Sequence, residues 1–425
     1  MNLMMGPSIT EVLEFVAQND VHFVRLAFCD LFGVQKHISL HSGELARAFE
    51  HGVRVDMAAF DDFVVEEDAD ILLFPDPSTL SVLPWRPSHS GVVRLFCRMR
   101  RSDGSPCQGD GRSLLQQAQA HAGEMGYSVK IGTECEFYLF ELDDMGQPTR
   151  RPHDNAGYCD IAPLDRGENI RREICLALAE MRIPQESSHH ERGPGQNEIV
   201  CKYVDALEAA DNLITLKSVS EITASMAGLS ASFLPKPLPE KDGSSLHTSL
   251  SLEKEGKNLF LSGTDLPEAE GFMAGVYRRL RELTLFLNPL ASSYARFDSD
   301  IPRAITLSRS NRAQVVRIPG AQGYSGRMEL RSPDPSLNPY FAFALLIEAG
   351  LEGVRESAKL PPEDTIEEAN QLPSDLKRAV QAARESDFVA RVIPPKALEQ
   401  ICSKKEAEYS RWKKQQAKSA LADIR

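Results

Sequence analysis

The segment from Gly132 to Phe140 reads Gly-Thr-Glu-Cys-Glu-Phe-Tyr-Leu-Phe and alternates between polar and apolar residues. Such alternation predicts a β-strand in which Glu134 and Glu136 lie on one face and the apolar side chains on the other. Two residues along a strand span roughly 6–7 Å, so the two carboxylates could share one divalent cation or hold two neighbouring ones. An edge strand with its glutamates in water would give the same pattern. The segment alone therefore indicates a metal site without establishing one.

A second polar segment contains a His-His-Glu triplet, and then a Gly-Pro-Gly turn that leads through Glu198 into an apolar strand. The triplet alone is a weak indication, because surface loops collect such residues. Glu198 is the better metal-ligand candidate, since it follows a constrained turn and enters a strand. Further along the chain, His247, Ser249 and Ser251 share one face of another alternating strand. A single histidine on such a face is more often a satisfied core residue than a ligand.

The densest charged group is rich in arginine and lies beyond these segments. Arg327, Glu329 and Arg331 alternate, so they share one face of a predicted strand. Arg312 and Arg317 come shortly before this strand. Guanidinium groups bind phosphate and carboxylate bidentately and disperse charge during phosphoryl transfer. A surface salt-bridge network would explain the charges but not the prolines and asparagines among them, so the group predicts a site for phosphate and carboxylate.

The elements that must position these side chains fall into two regions. Before a polar, glycine-containing linker from Arg101 to Gly111, several β-rich runs and one short helix predict a small α+β domain. After the linker, longer helices alternate with strands. The length of 425 residues exceeds what one ordinary core holds, so we expect domains at 1–105 and 106–425. The longer helices are predicted at 113–124, 168–181, 205–227, 267–286 and 397–424.

The composition limits the classes of partner and compartment. A hydrophobic content of 42% and a charged content of 26% are typical of a soluble globular protein. The net charge of −13 argues against nucleic acid or an anionic membrane as the main partner. The eight cysteines are scattered without a Cys-x-x-Cys pair, which indicates reduced thiols and makes a zinc site unlikely. The first residues lack signal-peptide features and no apolar run could span a bilayer, so we expect a cytoplasmic protein.

Six separated motifs resemble those of the class I glutamine synthetases and their relatives, the γ-glutamyl-amine ligases. They occur in the family's order and close to its spacing over residues 15–400. The resemblance implies an N-terminal β-grasp domain, and a large α/β catalytic domain whose curved antiparallel sheet forms a funnel for ATP and glutamate. It also implies a dodecamer of two stacked hexameric rings, with each active site between neighbouring subunits. The motifs are GTECEFYLF, AGYCD, HHERGPGQNEIV, the run from ASFLPKP to GSSLHTSLSL, NRAQVVRIP and RMELRSPDPSLNPYFAFA.

The resemblance also assigns roles to single residues. It implies two to three Mg²⁺ or Mn²⁺ ions per active site, for which oxygen-rich ligand sets with one histidine are suited. One ion would be held by Glu136, Glu191 and Glu198, and another by Glu134, His247 and Glu329. Glutamate would bind through Arg296, Arg331 and Gly243. ATP and the transferred phosphoryl group would face Ser251, Arg312, Arg317 and Arg327.

The implied chemistry has two steps. ATP phosphorylates the γ-carboxylate of glutamate, and the free amine then displaces phosphate from the acyl phosphate. Ammonium itself cannot attack, so a carboxylate must attract the cation and take its proton. By the resemblance, Tyr158 lines the ammonium pocket, and Asp56 reaches the neighbouring subunit's site and helps to deprotonate ammonium. The activity implied is that of nitrogen metabolism and glutamine biosynthesis.

Several residues on the amine side depart from the family pattern. Met57-Ala58-Ala59 stands where the family has Gly-Ser-Ser, which removes hydroxyl groups. The family's flap, which closes over the site and supplies a glutamate, is shortened here. Asp300 is the nearest substitute for that glutamate and a candidate catalytic residue. In addition, Ser249 replaces the second histidine of a His-x-His motif, and Asp242 replaces an asparagine.

These departures leave three hypotheses open. The metal and arginine positions are intact while the amine pocket is altered, which is the pattern expected of a glutamate ligase whose nucleophile is an organic amine. A glutamine synthetase proper, with ammonium as the nucleophile, is the second hypothesis. The third is a catalytically silent structural or regulatory homologue, against which the intact metal and arginine sets argue. Glutamate, ATP, and ammonia or a small primary amine are therefore the expected partners.

Overall fold

The computed structural model describes residues 6–64, 70–85, 91–262, 266–319, 326–366 and 370–422. One β-sheet lies in the N-terminal region, and a larger sheet flanked by helices follows it. Residues 1–5 and 423–425 of the predicted domains, including the predicted helix end at Ile424, lie outside the described residues. Within the described ranges, no helix combines the length and apolar character that crossing a membrane requires.

The N-terminal region is a small α+β unit with its own core. It comprises α1 (Ile9–Gln18), β1 (Val21–Cys29), β2 (Gln35–His41), α2 (Leu45–His51), β3 (Val53–Asp56), β4 (Asp70–Pro75), β5 (Ser81–Val82) and β6 (Gly91–Arg101). Its strands follow the order β2-β1-β6-β4-β3, with β5 also paired to β6. β1 and β6 run parallel, and the other pairs are antiparallel. Val12, Leu26, Leu45 and Leu95 are among the side chains buried between the sheet and the two helices.

The larger sheet is organised around one long strand. It comprises β7 (Ser128–Leu142), β8 (Pro148–Pro152), β9 (Gln185–His190), β10 (Gln196–Asp205), β11 (Leu229–Ser232), β12 (Leu246–Lys254), β13 (Lys257–Asn258), β14 (Leu307–Ser308), β15 (Val316–Arg317) and β16 (Met328–Leu330). The order is β14-β15-β16-β12-β7-β10-β9, and β7 also pairs with β8 and β11. The β14–β15 pair is parallel, whereas β7 is antiparallel to each of its partners. The central position of β7 gives the segment of Glu134 and Glu136 neighbours on both sides.

Helices cover the larger sheet and confirm the predicted α+β class. They are α3 (Gly111–Glu124), α4 (Glu168–Glu180), α5 (Ala206–Met226), α6 (Pro267–Leu287), α7 (Pro339–Arg355), α8 (Leu376–Arg384), α9 (Asp387–Val392) and α10 (Pro395–Ala422). The predicted helices match α3, α4, α5, α6 and α10 closely, whereas α1, α7, α8 and α9 were not predicted. The boundary between residues 105 and 106 stays a prediction, and the linker around it joins β6 to α3.

Helices α6 and α7 approach each other closely at glycines. A β-carbon at Gly275 would lie 2.1 Å from the carbonyl oxygen of Ala349, and one at Gly353 would lie 2.1 Å from that of Gly271. Both distances are far below van der Waals contact, so any side chain at these positions would push the two helices apart. The glycines therefore set the depth at which α7 packs in the core.

We expect Gly353→Ala to lower the free energy of unfolding by about 1–3 kcal/mol, because the added methyl group overpacks the contact between α6 and α7. Urea denaturation followed by circular dichroism measures this change. Gly123→Ala in α3 is the matched control, since its β-carbon would meet nothing within 4 Å among the described residues. The control should be neutral, or stabilising by about 0.5–1 kcal/mol. Equal transition midpoints for the two variants would show that the helices accommodate the methyl group.

A buried charged cluster joins the N-terminal region to the helices of the larger region. Arg112 in α3 is 5% exposed, and its Nη1 donates to Asp76 Oδ2 at 3.0 Å. Its Nη2 donates to Asp211 Oδ2 in α5 at 2.8 Å, and the hydroxyl of Tyr340 in α7 donates to Asp211 Oδ1 at 2.7 Å. Asp76 directly follows β4 of the N-terminal sheet. The cluster therefore fixes that sheet against three helices at once.

Candidate active site

The strand register places carboxylates side by side on one face of the larger sheet. Glu136 lies opposite Glu198 in the β7–β10 ladder, and Glu134 lies opposite His247 in the β7–β12 ladder. Directly opposed residues in an antiparallel pair point to the same face. Glu329 on β16 lies opposite Ser249 of β12, two residues after His247, and so extends the row. The sheet thus gathers residues from distant segments into one polar row, which we call the carboxylate row.

The ligand atoms of this row come close enough to share a cation. All six predicted metal ligands fall into groups whose oxygen and nitrogen atoms lie within 4.8 Å of one another. His247 and Glu198 each belong to two groups, which differs from the predicted division into two separate sets, and His189 is an additional member. The metal-binding role of the six residues stays a prediction. The groups are Glu134–His247–Glu329, Glu136–Glu198–His247 and His189–Glu191–Glu198.

Asp154, Asp165 and His190 form another buried group, and their side chains bond to other groups of the protein. One oxygen of Asp154 lies 2.9 Å from His190 Nε2 and accepts from the backbone N–H of Gly195 at 2.8 Å. Asp165 is ion-paired with an arginine. The group therefore fixes the turn that leads to Glu198, and its side-chain atoms serve protein contacts.

Burial and mutual repulsion disfavour the ionised form of two carboxylates in the row. Burial raises the pKa of Glu198 to about 9, and the charges of Glu136 and Glu134 add to this rise. Burial also raises the pKa of Glu136 to about 7. A divalent cation would offset these effects, and carboxylate oxygens with one imidazole are ligands that Mg²⁺ and Mn²⁺ accept. The residues of the row therefore fit the divalent metal that the resemblance implies.

Arginines surround the carboxylate of Glu329, which is 1% exposed. Arg317 Nη1 donates to it at 3.1 Å, Arg331 donates to its other oxygen, and Arg327 Nη2 lies 4.0 Å away. The Nε atoms of these three arginines are buried without a hydrogen-bond partner among the described residues. Arg312, predicted for the same group, is exposed between β14 and β15. Spare guanidinium donors beside the carboxylate row suit an anionic phosphate or carboxylate group.

The turn that contains Gly243 is held by charged side chains on the glutamate side of the predicted site. Lys236 Nζ donates to both oxygens of Asp300, at 2.9 and 2.8 Å, and the Gly243 N–H donates to Asp300 Oδ2 at 2.9 Å. Arg296 is fully buried, and its Nη2 donates to Ser245 Oγ at 2.6 Å. Asp300 thus lies in an ion pair, and Arg296 lies beneath the turn. The predicted roles of Asp300 in catalysis and of Arg296 and Gly243 in glutamate binding stay predictions.

The residues predicted to act on the amine and the residue predicted to face the nucleotide lie on separate structural elements. Tyr158 is 58% exposed, and its ring meets the ring of His189 edge to face at 5.3 Å. Asp56 is exposed at the end of the edge strand β3, where its Oδ1 accepts from the Ala58 N–H at 2.8 Å. Ser251 is buried on β12. The structure therefore places Tyr158 beside the carboxylate row and Asp56 in the N-terminal sheet.

Three residues near the row were not predicted from the sequence. Gln196 is 1% exposed and donates to Glu136 at 3.1 Å, and Lys236 holds Asp300. Tyr203 packs its ring against Gly132, where a β-carbon would approach the ring to 3.0 Å. Gln196 and Lys236 are polar residues inside the motifs HHERGPGQNEIV and ASFLPKP, which is a signal that could have found them. Tyr203 carries no comparable signal.

Comparison with known proteins identifies the family. Residues 108–422 match the family model described as glutamine synthetase, catalytic domain, and residues 20–101 match that described as glutamine synthetase, beta-Grasp domain. The chain belongs to the glutamine synthetase family. The predicted β-grasp domain ahead of a catalytic domain is thereby confirmed. As a member of this family, the protein is an ATP-dependent glutamate ligase, and the family's use of divalent metals agrees with the clustered acidic and histidine side chains.

Individual relatives match nearly the whole length of this chain. The glutamine synthetase of Clostridium saccharobutylicum is 38% identical over 421 residues, which is 95% of each chain. That of Methanosarcina mazei is 39% identical over 423 residues, covering 95% of this chain and 94% of the relative. A solved GmaS/ADP complex has a TM-score of 0.85 at 30% identity, covering 95% of this chain and 97% of that one. The Plasmodium falciparum glutamine synthetase has a TM-score of 0.85 at 22% identity, covering 97% and 98%, and this likeness concerns the fold alone.

Proposed function

We propose that this protein joins the γ-carboxylate of glutamate to ammonia or a small primary amine through a γ-glutamyl phosphate, with conversion of ATP to ADP and phosphate. The observation that carries the proposal is the buried carboxylate row, which ends in three arginines gathered around Glu329. Such a site can bind phosphates through cations on one side and stabilise a transferred phosphoryl group on the other. The GmaS structure holds ADP, which supports a nucleotide site in this fold.

In the first step, an oxygen of the glutamate γ-carboxylate forms a bond to the γ-phosphorus of ATP. The bond from that phosphorus to the β–γ bridging oxygen breaks, and ADP leaves with the electron pair. Arg312, Arg317 and Arg327 would stabilise the charge on the phosphoryl group through their N–H donors. Arg296 and Arg331 would hold the glutamate carboxylates. Mg²⁺ or Mn²⁺, held by the six predicted ligands, would neutralise charge on the phosphates and on glutamate. Ser251 would face the nucleotide.

In the second step, the nitrogen lone pair of the neutral amine attacks the acyl carbon. The bond from that carbon to the phosphate oxygen breaks, phosphate leaves, and a base takes the extra proton of the nitrogen. We propose Asp56 of a neighbouring copy as this base and Tyr158 as part of the amine pocket. The exposure of Asp56 on an edge strand supports a site shared between subunits, with a dodecamer as the proposed assembly. The cysteines are scattered through the sequence without a Cys-x-x-Cys pair, which supports the proposed cytoplasmic location.

The contacts of Asp300 favour an organic amine over ammonium as the nucleophile. Ammonium has no apolar surface, so its binding depends on carboxylates and hydroxyl groups, whereas an alkylamine also gains from apolar contact. Lys236 neutralises Asp300 and would repel a second cation. Ala58 and Ala59 replace hydroxyl-bearing residues of the family pattern. These changes weaken ammonium binding and leave the apolar contribution of an alkylamine intact.

The proposal is tested by phosphate release with Mg²⁺, ATP and glutamate, with ammonium, methylamine, ethylamine, ethanolamine and putrescine in parallel. We expect an organic amine to give the highest kcat/KM. The highest value with ammonium would contradict the argument from Asp300 and Ala58 and identify a glutamine synthetase proper. If no amine supports phosphate release while ATP still binds, the catalytically silent homologue becomes the better description.

Two variants test the role of the Asp300 charge in the same assay. Lys236→Met leaves the Asp300 carboxylate free to attract a cation. It should raise the kcat/KM for ammonium, which binds without an apolar contribution, about tenfold, equivalent to about 1.4 kcal/mol. Asp300→Asn also breaks the ion pair but removes the carboxylate charge and leaves Lys236 positively charged, so the kcat/KM for ammonium should not rise. The same change in both variants would show that the charge of Asp300 does not set the amine preference.

A further inference from the structure

Gln196 lies between two parts of the predicted site. This side chain is 1% exposed, and its Nε2 donates to Glu136 Oε2 at 3.1 Å and to the Gly243 carbonyl oxygen at 3.0 Å. Its Oε1 accepts from the Gly193 N–H at 2.9 Å. Glu136 belongs to the carboxylate row, Gly243 to the turn on the glutamate side, and Gly193 to the turn that precedes β10. One amide group therefore touches three separate elements of the site.

These contacts fix the orientation of the amide. A flipped amide would place its oxygen against a carboxylate and a carbonyl, and its NH₂ group against an N–H donor. The observed orientation satisfies all three partners. Glu136 Oε2 also accepts from the Ser245 N–H at 2.8 Å. Both donors hold the same oxygen of Glu136, which leaves Oε1 as the atom available to a cation.

The turn at Gly243 is held equally firmly on its other side. The Gly243 N–H donates to Asp300, which is paired with Lys236. A β-carbon at Gly243 would lie 2.6 Å from Arg296 Cγ and 2.8 Å from Asp300 Oδ2, so the backbone is packed without spare room. A continuous series of hydrogen bonds thus runs from Lys236 through Asp300, Gly243 and Gln196 to Glu136. Movement at one end of this series must be accommodated at the other.

We propose that Gln196 is a positioning residue that couples cation binding at Glu136 to the geometry of the Gly243 turn. The identity of the substrate at that turn rests on the proposed function, whereas the link to Glu136 does not. A hydrogen bond to a ligating carboxylate fixes the ligand in the orientation that binds the metal, and losing such a bond typically lowers metal affinity. Through Gln196, a cation at Glu136 and glutamate at the turn should each strengthen the binding of the other.

The test compares Gln196→Met, which keeps the volume but removes these hydrogen bonds, with Asn197→Leu. Asn197 is the next residue and is also buried, but it bonds to Arg171 and to the Gly195 carbonyl oxygen. Calorimetry of the full chain with Mn²⁺ alone should show affinity about 10- to 100-fold weaker for Gln196→Met, and a change within about twofold for Asn197→Leu. Gln196→Asn, whose amide is too short to reach all three partners, is the second variant if Gln196→Met does not fold.

A second readout measures the coupling itself. In the unaltered protein, Mn²⁺ should tighten the binding of glutamate, and this effect should shrink in Gln196→Met and persist in Asn197→Leu. The inference would be overturned if Gln196→Met changed neither the Mn²⁺ affinity nor its coupling to glutamate and lowered the melting temperature only as much as Asn197→Leu does. Gln196 would then have a purely structural role. If the amine assay fails but the loss of Mn²⁺ affinity is observed, the proposed function is wrong and the role of Gln196 stands.

Discussion

Glu198→Gln is expected to lower kcat/KM for glutamate-dependent phosphate release by about a thousandfold or more, equivalent to about 4 kcal/mol. Glu198 contributes to two of the ligand groups, together with Glu136 and His247 and also with His189 and Glu191. The amide keeps the shape of the side chain but offers a neutral carbonyl oxygen in place of the carboxylate charge, and it is therefore a weaker ligand for a hard divalent cation. Loss of this one carboxylate should therefore weaken binding at two cation positions.

The same substitution should stabilise the metal-free protein. After chelator treatment, burial and the neighbouring carboxylates raise the pKa of Glu198 and force it to take up a proton on folding, whereas the glutamine variant is neutral in both the folded and the unfolded state. We expect the variant to melt at a higher temperature without metal and to gain less from added Mn²⁺, because a ligand stabilises only the protein that binds it. Thermal unfolding with and without Mn²⁺ measures both effects.

Glu186→Gln is the matched control for this experiment. Glu186 is an exposed carboxylate on β9, the same strand that leads to Glu191. Its substitution should leave kcat/KM and the Mn²⁺-dependent shift in melting temperature unchanged. If Glu198→Gln retained full activity and a normal Mn²⁺ response, Glu198 would have to be removed from the set of metal ligands.

Arg112→Met is expected to destabilise the fold by about 3–5 kcal/mol, because it leaves the buried Asp211 and the half-buried Asp76 without their counter-charge. Asp76 and Asp211 both depend on this guanidinium, and Tyr340 is tied to it through Asp211. The N-terminal sheet should loosen from the helices before either region unfolds completely. Urea denaturation followed by circular dichroism and tryptophan fluorescence would detect both the lower midpoint and a broader transition.

An exposed ion pair provides the comparison for Arg112. Arg47 donates to Glu44 at 2.8 Å, but both side chains are more than half exposed. Arg47→Met removes a similar number of atoms and should cost about 0–1 kcal/mol. Similar midpoints for Arg112→Met and Arg47→Met would mean that the buried cluster contributes little and that apolar contacts hold the two regions together.

The local sequence pattern predicts part of the site, and the pairing of strands that are distant in the sequence determines the rest. Alternation along β7 is sufficient to predict that Glu134 and Glu136 share a face, because side-chain direction in a strand depends on local backbone geometry. It does not predict that Glu198 lies opposite Glu136, since strand register depends on contacts between distant segments. The family resemblance brought those residues together, and the structure adds that Glu198 and His247 are shared between groups.

The helices show the same limit of prediction from the local sequence. Amphipathic helices such as α3 and α4 were predicted near their observed bounds, whereas α7 was missed. Nearly all residues of α7 are buried, and its stretch from Pro339 to Ile347 has no charged residue, so the polar face that marks a surface helix is missing there. The ion pair of Asp300 with Lys236 joins residues 64 positions apart and lies equally beyond local reasoning. It is this pair that gives Asp300 a different environment from the one expected of a free catalytic carboxylate.

The sharing of ligands within the carboxylate row affects how such a protein can diversify. A replacement at Glu198 or His247 disturbs two neighbouring groups together, so the proposed phosphate-handling centre changes as a whole or not at all. Tyr158, Ala58 and Asp300 lie on separate segments and can be exchanged one at a time. A single fold can therefore exchange one nucleophile for another in small steps while its phosphoryl chemistry stays fixed.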